Sequence, residues 1–326
     1  MRALVCKTFG SLHNLSVENI PSPFLKPGEV LVAVKAAGMN FPDALMAQGL
    51  YQIRPSLPFS PGMELAGHIV HIAPDVQGFA IGDRVMATVN HGAYAEECVV
   101  NAKRIFKLPD SVGFHEGAAF IITYGTALHA LKNRARISSN DVVLILGAGG
   151  GVGLASIQVA RLLGAQVIAA ASSEEKIQLC YGAGAHHAIN YSKEDLKERI
   201  KEITKNKGLS VVLDTTGGPN SEIALRLLDW RGRYLVVGFA AGSIPQIRLN
   251  LALLKEREIL GVFWGESIAR DHAQYTQDIN LLASWLSQGQ LHPNISEEIF
   301  LSDVPEALER LQNRQVNGKI IVKVSK

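Results

Sequence analysis

The chain has 326 residues, 47% of them hydrophobic and 19% charged, with a formal net charge of +2. That length suits two domains rather than one core, and the composition is that of an ordinary globular protein. The near-balanced charge gives no electrostatic case for nucleic acid or an anionic membrane as a dedicated partner.

Met1-Arg-Ala-Leu-Val-Cys-Lys7 is an apolar run too short for a signal peptide and reads as a first strand. Up to residue 122 the chain is β-rich. Short apolar runs at 30–34, 66–72 and 84–88 are separated by turn signals at Pro27-Gly28, Pro61-Gly62, Gly82-Asp83 and His91-Gly92. Such spacing predicts a barrel-like or sandwich domain over 1–122. The three cysteines, Cys6, Cys98 and Cys180, are odd in number and far apart. Neither a disulfide framework nor a clustered cysteine metal site is expected, and a reducing, cytoplasmic location is.

From 123 the period changes. Strands are predicted at 142–146, 166–171, 187–190, 210–214, 233–238 and 258–263, and helices at 152–163, 173–181, 193–205, 220–229 and 249–256. This alternation predicts an α/β domain with a doubly wound parallel sheet over 123–263. Ser172-Ser-Glu-Glu175 has the spacing of a capping box for the second of these helices. Helices at 272–289 and 304–311 and a last strand at 318–324 form a return segment, 264–326, to the first domain.

The stretch Asp141-Val-Val-Leu-Ile-Leu-Gly-Ala-Gly-Gly-Gly-Val-Gly153 reads as strand, tight turn and helix start. Residues 142–160 carry no charge and match a bilayer span in length, but their five glycines fit a buried strand and helix better. Gly147, Gly150 and Gly153 let backbone approach a diphosphate, with Gly151 and Val152 at the helix start, where free N–H groups and the helix dipole favour an anion. A dinucleotide is therefore the expected ligand. In NAD-binding folds an acid about 20 residues past the glycines holds the adenine ribose. Here Ser172 stands at that place, and Glu174 and Glu175 are assigned to the next helix start. Lys176 and Tyr191 complete a small polar pocket suited to a 2′-phosphate, so NADPH is the expected cofactor.

Ala36-Ala-Gly-Met-Asn-Phe-Pro-Asp43, Leu57-Pro-Phe-Ser-Pro-Gly-Met-Glu-Leu-Ala-Gly67, Gly82-Asp-Arg-Val85, Gly92-Ala-Tyr-Ala-Glu96, the glycine loop and Ile189-Asn-Tyr191 occur in this order. With these motifs the whole chain resembles the medium-chain dehydrogenase/reductase superfamily. Within it, the chain is most similar to the zinc-free NADPH:quinone oxidoreductases of the zeta-crystallin type. The resemblance implies a GroES-like catalytic domain before the Rossmann domain. Zinc alcohol dehydrogenases of the superfamily carry a cysteine ligand where this chain has Asn40 and a histidine ligand where it has Met63, and neither is a good Zn²⁺ ligand. No metal is expected. Without a Lewis acid, acceptors whose developing negative charge is delocalised, quinones first and enones next, suit the site.

The resemblance also implies residue roles. Asn40 lies near the nicotinamide end of the cofactor. Tyr51 lies beside the acceptor, to orient it or to donate a proton, with loop packing as the alternative. Thr126 touches the nicotinamide. Gly238 and Phe239 end the fifth Rossmann strand at the edge where ligands bind, Phe263 and Trp264, ending the sixth, wall the acceptor site or fill the core, and Lys319 occupies a basic position near the cofactor. A homodimer through the strand at 258–263 is expected. Competing readings are an enone or enoyl-thioester reductase and a non-catalytic NADPH- or RNA-binding protein.

Overall fold

The computed structural model describes residues 1–324. They divide into two compact units, one of Met1–Ile122 and the described residues from Leu281 on, the other of Thr123–Asn280.

The first unit holds strands β1 (Arg2–Cys6), β2 (Leu15–Asn19), β3 (Glu29–Gly38), β4 (Glu64–Ile72), β5 (Arg84–Thr88), β6 (Glu97–Asn101) and β7 (Ile105–Lys107), with short helices α1 (Phe41–Ala47) and α2 (Phe114–Ala118). The long strand β3 is its spine. It pairs antiparallel with β4 on one edge, and β6 joins it over Glu29–Ala33. Val30, Val32 and Val34 alternate into the core on β3, as period-two patterning requires, and pack with Leu65, Ile69 and Val85.

The second unit begins in α3 (Ile121–Leu128) and a π-helical segment over His129–Arg134. Strand and helix then alternate: β8 (Val142–Leu146), α4 (Gly151–Leu162), β9 (Gln166–Ala171), α5 (Glu174–Gly182), β10 (His187–Asn190), α6 (Leu196–Ile203), β11 (Leu209–Asp214), α7 (Pro219–Leu227), β12 (Leu228–Val236), α8 (Asn250–Leu253) and β13 (Glu258–Gly261). All six strands are parallel, in the order β10-β9-β8-β11-β12-β13. Both faces of such a sheet are covered, which is why β8, and β9 after Gln166, read as continuous apolar runs. The strand order reverses between β8 and β11, and ligands of such sheets bind where it does so, at the carboxyl ends.

Helices α9 (Trp264–Arg270) and α10 (His272–Ser287) follow, and β14 (Ile295–Phe300), α11 (Val304–Gln312) and β15 (Lys319–Lys323) belong to the first unit. There β15 pairs parallel with β14 and antiparallel with β3. Residues 264–280, expected with the returning tail, lie in the second unit. Two contacts hold them there. The Trp264 ring covers Gly125, where a Cβ would sit 2.3 Å from the indole. Asp278 accepts from Lys132 at 2.8 Å and Asn133 at 2.6 Å.

Candidate functional site

Two groups of residues carry chemistry, one in each unit. In the second, β8 breaks at Gly147, whose φ of +75° only glycine adopts without strain. A Cβ there would sit 2.3 Å from Thr215 Oγ1, so the turn after β8 lies against the turn after β11 at the switch point. At Gly153 a Cβ would lie 2.3 Å from the Gly147 carbonyl oxygen and 2.6 Å from Ala148 Cα, so α4 seats directly on the turn. Gly150 caps α4 without a side chain, and the first i→i−4 bond of the helix is from Leu154 N–H to the Gly150 carbonyl. The N–H groups of Gly151, Val152 and Gly153 thus have no acceptor within the helix and point outward at its positive dipole end. This is an anion cradle built from backbone alone.

Beside it lies the edge where β9 and β10 end. Tyr191 N–H donates to the Ala171 carbonyl at 3.1 Å and Ser192 Oγ donates to the Ser172 carbonyl at 2.9 Å, so Ser172 and Tyr191 stand together. The stem of Lys176 crosses the glycine turn: a Cβ on Gly149 would meet Lys176 Cβ and Cγ at 2.7 Å and Cδ at 2.9 Å. The capping box expected from Ser172 does not form. Ser173 is the cap, its Oγ accepting from Lys176 N–H at 3.3 Å. Pairing of Ser172 with the β10 end extends the sheet edge by one residue and pushes the helix start on by one. Gly238 and Phe239 follow β12 on this same edge. Gly238 N–H donates to the Asp214 carbonyl at 3.3 Å, and the Phe239 ring packs over Gly217. Phe263 lies beyond β13 rather than within it, exposed ahead of α9, and Thr126 is next to the Gly125 that carries Trp264.

The first unit contributes a buried polar cluster. Asn40 precedes α1, and its backbone N–H donates to Asp43 Oδ2 at 2.8 Å. Both polar atoms of its side chain have partners. Nδ2 donates to the Gly38 carbonyl at 3.2 Å and to Glu64 Oε2 at 3.1 Å, while Oδ1 accepts from Lys319 Nζ at 2.8 Å. Lys319, expected beside the cofactor, is 5% exposed. Its ammonium donates to Asn40 Oδ1, to Glu64 Oε2 at 3.1 Å and to the Met39 carbonyl at 2.8 Å. Glu64 Oε1 accepts from Ile122 N–H at 2.8 Å, so this carboxylate is buried, paired and hydrogen-bonded at both oxygens.

Asp43 Oδ2 also accepts from the Tyr94 hydroxyl at 2.7 Å, whereas the buried Oδ1 has no hydrogen-bond partner. Burial pushes the Asp43 carboxyl up to about 7 against the opposing pull of the Tyr94 and Asn40 bonds. Burial, then the Asp43 charge, also raises the Tyr51 phenol, which keeps it protonated at neutral pH. Tyr51 packs half-buried against the core of this unit. Asp43, Glu64, Tyr94 and Thr215 were not among the expected site residues. A lone acid in the apolar run of β4, and an acid three residues after Asn40 at capping-box spacing, were the signals for Glu64 and Asp43.

Residues 26–110 match the family model for the alcohol dehydrogenase GroES-like domain and residues 151–284 that for zinc-binding dehydrogenase. Quinone oxidoreductase-like protein 2 of Bos taurus is 38% identical over 94% of this chain and 88% of its own length. The quinone oxidoreductase of Homo sapiens is 33% identical over 99% of this chain and 97% of its own. The structure of the Escherichia coli quinone oxidoreductase complexed with NADPH superimposes with a TM-score of 0.91 at 29% identity, covering 99% of this chain and 100% of that one.

The zinc in the second family's description does not fit this donor set. Asn40 presents an amide whose oxygen already accepts from Lys319, Met63 a thioether, and Glu64 a carboxylate that already holds the same ammonium. A second cation there would stand against Lys319.

Proposed function

The chain belongs to the zinc-free quinone oxidoreductases of the medium-chain dehydrogenase/reductase superfamily, and on that premise we propose that it reduces quinones with NADPH. It is an oxidoreductase of that superfamily. The observation that carries the acceptor class is the buried Lys319 ammonium within 3.1 Å of Glu64 and 2.8 Å of Asn40. It fills with a fixed protein cation the place where a Lewis acid would have to act. An acceptor reduced here must tolerate developing negative charge without a metal, and a conjugated quinone spreads that charge over its ring.

The residues of the second unit fit NADPH. The N–H groups of Gly151, Val152 and Gly153 suit the diphosphate, and Gly147 and Gly150 admit it closely. Ser172, Lys176 and Tyr191 suit a 2′-phosphate, because β9 ends at Ala171 and is followed by Ser172 where a carboxylate would repel it. Thr126, Gly238, Phe239 and Phe263 are assigned to the nicotinamide and acceptor end. When bound, NADPH supplies a hydride equivalent, and the quinone takes up that hydride and one proton to become the hydroquinone. The protein's part is orientation and charge. Asn40 is held in one amide orientation by Lys319 and Glu64, with a lone pair on Oδ1 as its remaining polar feature. Tyr51 keeps its proton at neutral pH and can donate it, or a hydrogen bond, to the acceptor oxygen. A homodimer on the free edge of β13 is part of the same reading.

The test is NADPH oxidation with an ortho-quinone in the presence of a chelator, with NADH and an enone in parallel. Chelator-resistant turnover of the quinone with a preference for NADPH is expected, and Tyr51→Phe lowers that turnover. Turnover of the enone alone would replace the substrate class. NADPH binding with no turnover of either would replace catalysis by a binding role.

A further inference from the structure

Gly149 is the departure in the glycine turn that turn geometry does not require: only Gly147 there has a positive φ, and it is Gly153 that seats the helix against the turn backbone. What Gly149 does accommodate is Lys176. Three successive carbons of the lysine stem, Cβ, Cγ and Cδ, lie 2.7, 2.7 and 2.9 Å from where a Cβ on residue 149 would be. Those distances are below any real carbon contact. The conflict involves the near end of the stem, which rotation about the outer bonds does not relieve. Nor is the backbone of Lys176 free to retreat. Its N–H is bound by the Ser173 cap at 3.3 Å, and Ser173 follows the residue tied to Ser192 at the sheet edge. The stem of Lys176 is thus clamped between the start of α5 and a bare stretch of backbone.

We infer that Gly149 is a specificity-determining residue for the cofactor: by leaving room for the Lys176 stem, it sets the lysine against the glycine turn, beside the pocket that Ser172 and Tyr191 would offer a 2′-phosphate. The inference rests on the proposed use of NADPH. Its physical content is preorganisation. A lysine held along one path loses less freedom on binding an anion than one swinging in water, so the advantage falls on the phosphorylated cofactor. A side chain at 149 displaces the stem and withdraws that advantage without touching the diphosphate cradle.

The test is a cycle of Gly149→Ala, Lys176→Gln and the double variant, reading the ratio of NADPH to NADH dissociation constants, with 2′,5′-ADP against 5′-AMP as isolated probes of the phosphate. Gly149→Ala is expected to lower the preference for NADPH on the order of tenfold, the scale of a charge-assisted hydrogen bond. In the Lys176→Gln background it should change the ratio no further. An unchanged ratio in Gly149→Ala while Lys176→Gln lowers it overturns this inference alone. An unchanged ratio in Lys176→Gln overturns the phosphate pocket and this inference with it. Additive effects in the double variant also overturn it, since Gly149 would then act by another route. Should Gly149→Ala fail to fold, Gly149→Ala combined with Lys176→Gly removes all three opposing carbons. Recovery of a folded protein would support the contact, and continued misfolding would overturn it.

Discussion

Asp43 shows how much one buried oxygen can impose. Its carboxyl is lifted to about 7 by burial, with Oδ1 unpartnered in the core. The sign of the consequence follows from proton counting. Between the ordinary carboxylate value of 3.8 and about 7, folded Asp43 holds a proton that the unfolded chain has lost. Folding stability therefore falls as pH rises through that window, by up to about 1.4 kcal/mol per pH unit for one proton, and levels off above it. Asp43→Asn has no such proton. The difference in melting temperature between the variant and the unsubstituted protein should move in the variant's favour from about pH 4 to about pH 7. Parallel melting curves across that range would dismiss the assignment. At this scale the sequence was least informative. Asn40 and Lys319 are 279 positions apart, and nothing local to Gly318-Lys-Ile-Ile tells that its ammonium is spent on Asn40 and Glu64. The type of residue was legible, and its partners were not, because long-range packing assigns them.

At the scale of elements, the glycine turn and the strands around it were written plainly in the chain. β8, β9 and β10 have the predicted bounds, because each is an apolar run that ends in a turn residue. The regular pairing of β12 with β11 and β13 begins at Arg233, as predicted, although the strand starts at Leu228 before an irregular stretch. Its far end, predicted at 238, falls at Val236. The start of α5 was displaced by one residue, since two serines in tandem offer two caps and only cross-strand pairing chooses between them. The seating of α4 on the turn makes a further expectation. In Gly153→Ala the new methyl meets backbone atoms of Gly147 and Ala148, which cannot rotate away. Overpacking of this kind costs about 1–3 kcal/mol, so chemical denaturation should show a loss in that range together with weaker cofactor binding. A variant of unchanged stability would mean that α4 can lift from the turn at no cost.

For the whole molecule, the order of strands leaves β13 with one unpaired edge. Its outer residues are open: Ile259 is 40% exposed and Phe263, just past the strand, 55%. Leu249, Leu253 and Leu254 near it in the chain are also exposed. A bare edge beside apolar side chains is a template for another strand. An antiparallel copy of β13 related by a twofold axis is the partner proposed here. Light scattering should give twice the 35.2 kDa chain mass, and Ile259→Lys, which puts a charge on that edge, should shift it toward one chain. A single-chain mass for the unsubstituted protein at micromolar concentration would rule the dimer out. No helix among the described residues is long and apolar enough to cross a membrane.

The return of the chain to its first unit also governs the order in which that unit can be completed during synthesis. Glu64 leaves the ribosome 255 residues before the ammonium that neutralises it in the core. Until β15 emerges, the end of β3 over Ala36–Gly38 lacks one of its antiparallel neighbours, Asn40 lacks the donor that orients it, and a carboxylate destined for burial has no counter-charge. The second unit is one uninterrupted stretch and carries no such debt, so it can mature while the first stays open. β15, the last strand among the described residues, is the one that closes the polar heart of the first unit.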